Sequence, residues 1–214
     1  NADHTYTFDK VKQVVEAGYD SVIVDGAKLS YEENLKLVKE CVDWVREYEI
    51  QNQKRVLVEA ELGYIGQSSS LNSKLPEGVS ESNLTTRDQA RDFVLRTGID
   101  LFAPAVGNVH GMLVDAPEPK LRIDRISEIR DAAGVPLVLH GASGNTDEDL
   151  INSIRSGISI IHINTEIRKA FRDGIKDYIE NNPNEIAPYK FDRAGAEEMK
   201  KVVRAKMELY KNSI

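Results

Sequence analysis

The chain has 214 residues, 41% hydrophobic and 29% charged, with a formal net charge of −7; this suits one globular α/β domain with a sizeable core. The acidic balance argues against nucleic acid or an anionic membrane surface as the main partner, and no apolar run approaches the ~20 residues of a membrane span. A single cysteine, Cys41, permits no internal disulfide, and no secretory signal is visible, so a cytoplasmic location is expected.

The chain opens on Asn1-Ala2-Asp3-His4, which reads as the end of a strand. Amphipathic stretches near 8–17, 31–48, 86–97, 122–133 and 147–156 then alternate with Val/Ile/Leu-rich runs at 21–25, 56–61, 101–105, 135–140 and 158–162. Short continuous apolar runs are what buried parallel strands require. Ser30-Tyr31-Glu32-Glu33 and Thr86-Arg87-Asp88-Gln89 carry the capping-box spacing, and Thr146 precedes an acidic first turn. Gly18, Gly98, Gly134 and Gly157 each follow a helix and precede a strand, where a left-handed cap is wanted. This iterated αβ unit predicts a half or full barrel, with a doubly wound sheet as the alternative. Cys41 and Trp44 share a helix with Leu37 and Val38 and read as core packing.

Two segments break the rhythm. Residues 67–85 form a long polar loop directly after the Glu59/Glu61 strand, read as an active-site lid or, alternatively, as a surface excursion. Beyond the last strand, helices are expected at 165–181 and 194–210, linked by Asn181-Asn182-Pro183 and Pro188, with a helical extension over 182–214.

All four histidines, His4, His110, His140 and His162, sit where a strand-like run gives way to a loop. In parallel α/β proteins ligands gather at the carboxyl ends of the strands, so the four read as one site. Zinc takes imidazole nitrogen and carboxylate oxygen, and a catalytic site uses three protein ligands and leaves one position open. His4, His110 and His140 come from three strand ends, with Glu61 as a fourth or alternate ligand. Asp3 is expected to point away from His4 and is the candidate proton donor and acceptor. Glu59 and Glu61 flank Ala60, and only one, Glu61, is expected to face the site. Asp25 ends a strand on the same side, as a second metal position, a partner for a substrate hydroxyl or a loop cap.

Gly111 and Gly141 directly follow His110 and His140, and a missing side chain lets backbone amides approach an anion. Gly141-Ala142-Ser143-Gly144 adds a hydroxyl, although alone it is equally a tight turn. Asn164-Thr165 stands where the next strand feeds a helix N-terminus; together the two segments resemble a barrel phosphate site.

Six ordered strings resemble class II (zinc-dependent) fructose-bisphosphate and tagatose-bisphosphate aldolases. They are Ala2-Asp3-His4, the run from Asp25-Gly26-Ala27-Lys28 to Asn34, Val58-Glu59-Ala60-Glu61-Leu62-Gly63, Gly107-Asn108-Val109-His110-Gly111, the run from Leu137 to Gly144, and Asn164-Thr165-Glu166. The resemblance implies zinc ligands at His4, His110 and His140, a carboxylate near the metal at Glu61, and an acid/base at Asp3 that handles the C4 hydroxyl proton. It implies a C1 phosphate held by Gly111, Gly141, Ser143 and Thr165, with a monovalent cation (Na⁺ or K⁺) nearby. The implied reaction interconverts a ketose 1,6-bisphosphate with dihydroxyacetone phosphate and glyceraldehyde 3-phosphate, in a cytoplasmic homo-dimer or homo-tetramer.

Three departures accompany it. The family carries about 80 further residues and three strands upstream of a barrel that typically needs ~250 in all, so a truncated barrel is expected, with strands 4–8 and the end of strand 3. His162 stands where the commoner pattern has a substrate-contacting Asn. Gly66-Gln67-Ser68-Ser69-Ser70 replaces a loop that usually brings a Glu, for which Glu77 or Glu81 could substitute. Competing readings are a non-catalytic phosphosugar-binding or partner-stabilising subunit, and a metal-dependent hydrolase or epimerase. A Schiff-base aldolase is disfavoured, since no Lys occurs in the strand cores.

Overall fold

The five apolar runs and the opening strand assemble into one six-stranded sheet in the computed structural model, which describes residues 1–66 and 69–213. In chain order the elements are β1 (Ala2–Thr5), α1 (Phe8–Glu16), β2 (Ser21–Val24), α2 (Tyr31–Asn52), β3 (Leu57–Leu62) and β4 (Leu71–Asn72). A 3₁₀ turn at Glu81–Asn83 precedes α3 (Arg87–Thr97), β5 (Leu101–Pro104), β6 (Met112–Leu113), α4 (Ile123–Ala133) and β7 (Leu137–Leu139). The chain finishes with α5 (Asp147–Ser156), β8 (Ile158–Ile161), α6 (Thr165–Asn181) and α7 (Pro188–Lys211). The sheet order is β1-β2-β3-β5-β7-β8, while β4 and β6 pair apart as a small parallel ladder.

Every pair in the main sheet is parallel, so all the carboxyl ends open on one side. Among the described residues β1 and β8 each pair on one side only, so the sheet is not closed. Its two faces differ in kind, because successive strand residues point to opposite faces. Val22, Val24, Val58, Ala60, Leu62, Phe102, Leu137 and Leu139 join the main core under the helices. The opposite face holds a smaller apolar cluster, Leu101, Ala103 and Val138, beside the buried Glu59 and Glu61. Phe93 and Phe102 are fully buried in the main core, where truncation to Ala costs roughly 3–5 kcal/mol. Cys41 and Val38 are buried there as well, with Leu37 and Trp44 packed at its margin.

Ser30 and Thr86 both form complete capping boxes, and Thr146 accepts from the Asp149 amide. Gly98 and Gly134 cap α3 and α4 in the left-handed conformation. Several expectations are corrected. Helix α2 continues to Asn52, and α7 begins at Pro188 rather than 194, because Pro at the first helical turn has its φ preset and no amide to satisfy. The 67–85 segment is not featureless, since it contributes β4 and the 3₁₀ turn; Gln67 and Ser68 lie outside the described residues. Helices α6 and α7 cross closely at Gly174 and Gly195, where a Cβ on Gly195 would sit 2.8 Å from the Phe171 carbonyl oxygen. No helix among the described residues is long and apolar enough to cross a membrane.

Candidate metal centre

The carboxyl ends of β1, β3 and β7, with the loop after β5, bring four ligand-type side chains together. One donor atom each from His4, Glu61, His110 and His140 lie within 4.8 Å of one another. His140 and His162 directly follow β7 and β8, as strand-end residues should. His4 instead lies inside β1, where the register shifts and its own φ is +53°. That left-handed kink in a non-glycine residue is local strain of the sort held at functional sites. His110 sits well past the end of β5, in a loop fixed by its amide donating to the Ile65 carbonyl at 2.8 Å.

Each of the three histidine rings offers one nitrogen to an oxygen of the surrounding protein. His4 Nδ1 donates to Asp25 Oδ2 at 3.0 Å, His110 Nδ1 to the Gly66 carbonyl at 2.8 Å, and His140 Nε2 to Glu59 Oε1 at 2.6 Å. Glu61 Oε1 lies 3.6 Å from both His4 Nδ1 and His140 Nδ1. It is buried and has no hydrogen-bond partner among the described residues. A bare buried carboxyl oxygen beside three imidazoles is the position a divalent cation satisfies, so the residues present fit zinc.

The site's electrostatics favour the same reading. Burial holds His110 and His140 down at about 4, which keeps both rings in the neutral, ligating form. For His4 burial works downward, but the bond to Asp25 and the charges of Glu61, Asp3 and Asp25 outweigh it and raise it to about 9. Burial lifts Glu59 to about 7, and burial with the Asp25 charge pushes Glu61 well above the carboxylate range. Burial also lowers His162, with His140 adding to the effect.

Glu59 and Glu61 both face this site, which overturns the expectation that one of them would turn away. Residues two apart in a strand share a face; Ala60 is the one that points to the helices. Asp25 occupies both its oxygens, one on His4 and the other accepting the Ala27 amide at 3.1 Å, so it supports His4 from behind. Asn108 ties two loops together, donating to the His140 carbonyl at 2.9 Å and accepting the Val106 amide at 2.8 Å. Neither the Glu59–His140 contact nor the Asn108 brace was anticipated; the E-x-E spacing on one strand was the available signal for the first.

A cavity of about 390 Å³ opens above the metal group and is lined by Asp3, His4, His110 and His140. Gly111, Gly141, Ser143, Asn164 and Thr165 line it as well, together with His162, whose ring centroid lies 4.4 Å from that of His140. Asp3 is half exposed, with Oδ1 3.7 Å from His4 Nε2 and 4.0 Å from His162 Nδ1. Gly141 has φ +59°, and a Cβ there would sit 2.4 Å from the Val109 carbonyl oxygen, so only glycine lets the two histidine loops touch. Asn164 makes no side-chain capping bond at the start of α6, and the Glu166 amide in its first turn points at Ser143 Oγ, 3.4 Å away. The N-terminal amides of a helix, beside glycine loops and a hydroxyl, suit an anion. From the loop after β3, Ser69 joins the lining, and its carbonyl accepts from Arg168 of α6 at 3.3 Å.

Residues 1–213 match the family model for class-II fructose-bisphosphate aldolase. Among solved structures the chain is similar to the YdjI aldolase from Escherichia coli K12, at 31% identity and TM-score 0.74, covering 97% of this chain and 66% of that one. It is also similar to a candidate fructose-1,6-biphosphate aldolase from Coccidioides immitis, at 27% identity and TM-score 0.77, covering 98% of this chain and 70% of that one. The fold is shared with the fructose-bisphosphate aldolase of Campylobacter jejuni, at 22% identity and TM-score 0.67, covering 95% of this chain and 65% of that one. The chain thus spans roughly two thirds of the length of each structure.

Proposed function

The chain belongs to the class-II fructose-bisphosphate aldolase family, and from that premise we propose that it is a zinc-dependent lyase acting on a ketose 1,6-bisphosphate. Fructose 1,6-bisphosphate is the leading substrate, with dihydroxyacetone phosphate and glyceraldehyde 3-phosphate as products. The observation that carries this reading is the convergence of His4, His110, His140 and Glu61 around the unpartnered Glu61 Oε1, directly beneath the cavity.

In this reading His4, His110, His140 and Glu61 hold the zinc, and Asp25 supports His4 from behind. Bound there, the ion supplies Lewis-acid stabilisation of the electron pair left on the three-carbon fragment when the C3–C4 bond breaks. Asp3 takes the C4 hydroxyl proton, so that C4 leaves as the aldehyde carbonyl; in the condensation direction it returns that proton. Gly111, Gly141, Ser143, Asn164 and Thr165 bind the C1 phosphate, with a monovalent cation alongside. His162 presents a ring N–H to the substrate between the phosphate and Asp3. Fixing the C1 phosphate on one side and the C4 hydroxyl at Asp3 on the other orients the scissile bond before any proton moves. The reading includes a cytoplasmic location and a homo-dimer or homo-tetramer.

The test is a coupled assay for triose phosphates with fructose and tagatose 1,6-bisphosphates, before and after EDTA. EDTA-sensitive release of both trioses is expected, restored by zinc. A zinc-loaded, folded protein that releases neither triose from either substrate would leave the non-catalytic phosphosugar-binding or partner-stabilising subunit as the better account.

A further inference from the structure

Strand β3 carries two buried carboxyl groups on one face, and the metal group described above uses only Glu61. Glu59 is 1% exposed, and a carboxyl buried without compensation is strongly unfavourable. Its side chain meets the ring of His140, with Nε2 and Oε1 2.6 Å apart. One strand period, roughly 6.6–6.8 Å, separates residues 59 and 61, and the imidazole sits between their carboxyl groups. Its Nε2 faces Glu59 and its Nδ1 lies 3.6 Å from Glu61 Oε1.

A neutral imidazole carries one proton; a dication in the neighbouring site would keep Glu59 ionised, and a carboxylate oxygen accepts a hydrogen bond but cannot donate one. The contact with Glu59 therefore places the proton on Nε2 and leaves the lone pair on Nδ1, the nitrogen that lies 3.6 Å from Glu61 Oε1. The Gly66 carbonyl does the same for His110, and Asp25 for His4. A backbone carbonyl cannot be exchanged by mutation, and Asp25 also anchors the Ala27 amide, so Glu59 is the clean case of the three. We propose that Glu59 is a positioning residue for the metal centre: it fixes the tautomer and the rotation of His140, so that Nδ1 rather than Nε2 ligates. This rests on the metal-centre reading, which it deepens by assigning the second glutamate of the Glu59-Ala60-Glu61 strand.

Zinc affinity, measured by competition with a chromogenic chelator, would be compared in the full chain and in E59Q and E59L. Long-range ¹H–¹⁵N correlations of His140 would report which ring nitrogen bears the proton. E59L is expected to weaken zinc binding roughly 10- to 100-fold, the usual effect of losing an outer-shell acceptor. E59Q, which keeps an acceptor oxygen, should stay close to wild type, and wild-type His140 should carry its proton on Nε2. Unchanged affinity in E59L, equal losses in E59L and E59Q, or a proton on Nδ1 of zinc-loaded wild type would each overturn the proposal. Should E59L not fold, E59D withdraws the carboxyl by one methylene and is expected to show a comparable loss; wild-type affinity there also overturns it. A wild-type chain that binds no zinc sinks the metal-centre reading itself, an outcome distinct from zinc binding that ignores Glu59.

Discussion

Ionisable groups crowd both ends of the same sheet, and the two crowds are built differently. At the amino end, Glu49 and Asp100 lie mostly buried against Arg46 and Arg55. Glu49 also accepts the Val56 amide at 2.7 Å, and Asp100 the Val58 amide at 2.8 Å, so each carboxylate is matched by cations and amides. Burial pushes Glu49 upward, yet the Val56 amide, Arg55 and Arg46 bring it below the usual carboxylate range. At the carboxyl end, Asp25, Glu59 and Glu61 are buried among three histidines; among the described residues no Lys or Arg pairs with them and Glu61 Oε1 has no hydrogen-bond partner. One end is a closed network that pins strand starts. The other is polarised and incomplete, which is how a binding site differs from a structural ion pair.

Mutations at the two ends should separate stability from metal chemistry. The largest effect is expected from His140→Ala, which should abolish tightly bound zinc and activity together while leaving helical circular dichroism largely intact; retained zinc-dependent turnover would remove His140 from the ligand set. Next, Asp3→Asn should keep zinc but lower kcat by about 10²- to 10⁴-fold, the usual worth of a positioned general acid–base, as steady-state kinetics would read. Turnover close to wild type in that variant would take Asp3 out of the chemistry.

A smaller, graded effect concerns pH. With His4 raised to about 9, its ring is protonated in the metal-free site at neutral pH, and burial moves the neighbouring Glu61 upward as well. Zinc can bind His4 only as its extra proton leaves, so affinity should climb with pH by about tenfold per unit and level off above about 9. Titration calorimetry in buffers of different ionisation enthalpy counts the protons; a flat profile would contradict the electrostatics of this end. The smallest expected effect belongs to the amino end. Asp100→Asn should lower stability by about 1–3 kcal/mol in urea unfolding and leave zinc affinity unchanged. A loss of zinc affinity there would break the contrast between the two ends.

Much of this was legible in the sequence, for reasons that differ residue by residue. His140 and His162 were legible because each closes an apolar run, and His110 because it shares with His140 a following glycine, although it lies in the loop past β5. The capping residues Ser30, Thr86 and Thr146 act locally, so they can be read without the fold. Glu59 was misjudged on strand period, since residues two apart share a face in either phase; its partner needed the position of His140, 81 residues away. Asp25 could be read equally as ligand or cap until its bond to the kinked His4 was visible. The β4–β6 ladder left no periodic trace, since two-residue strands hold no pattern. Pro188 read as a break because a proline that starts a helix and one that ends it look alike without their neighbours.

The most direct measurement is the zinc content per chain by elemental analysis, on folded protein before and after EDTA and again after zinc is restored. The account predicts about one tightly held zinc, lost to EDTA and recovered on addition, in keeping with a single three-histidine site. A folded chain that holds no zinc at any stage would contradict it, and the unpartnered Glu61 oxygen would then need another occupant.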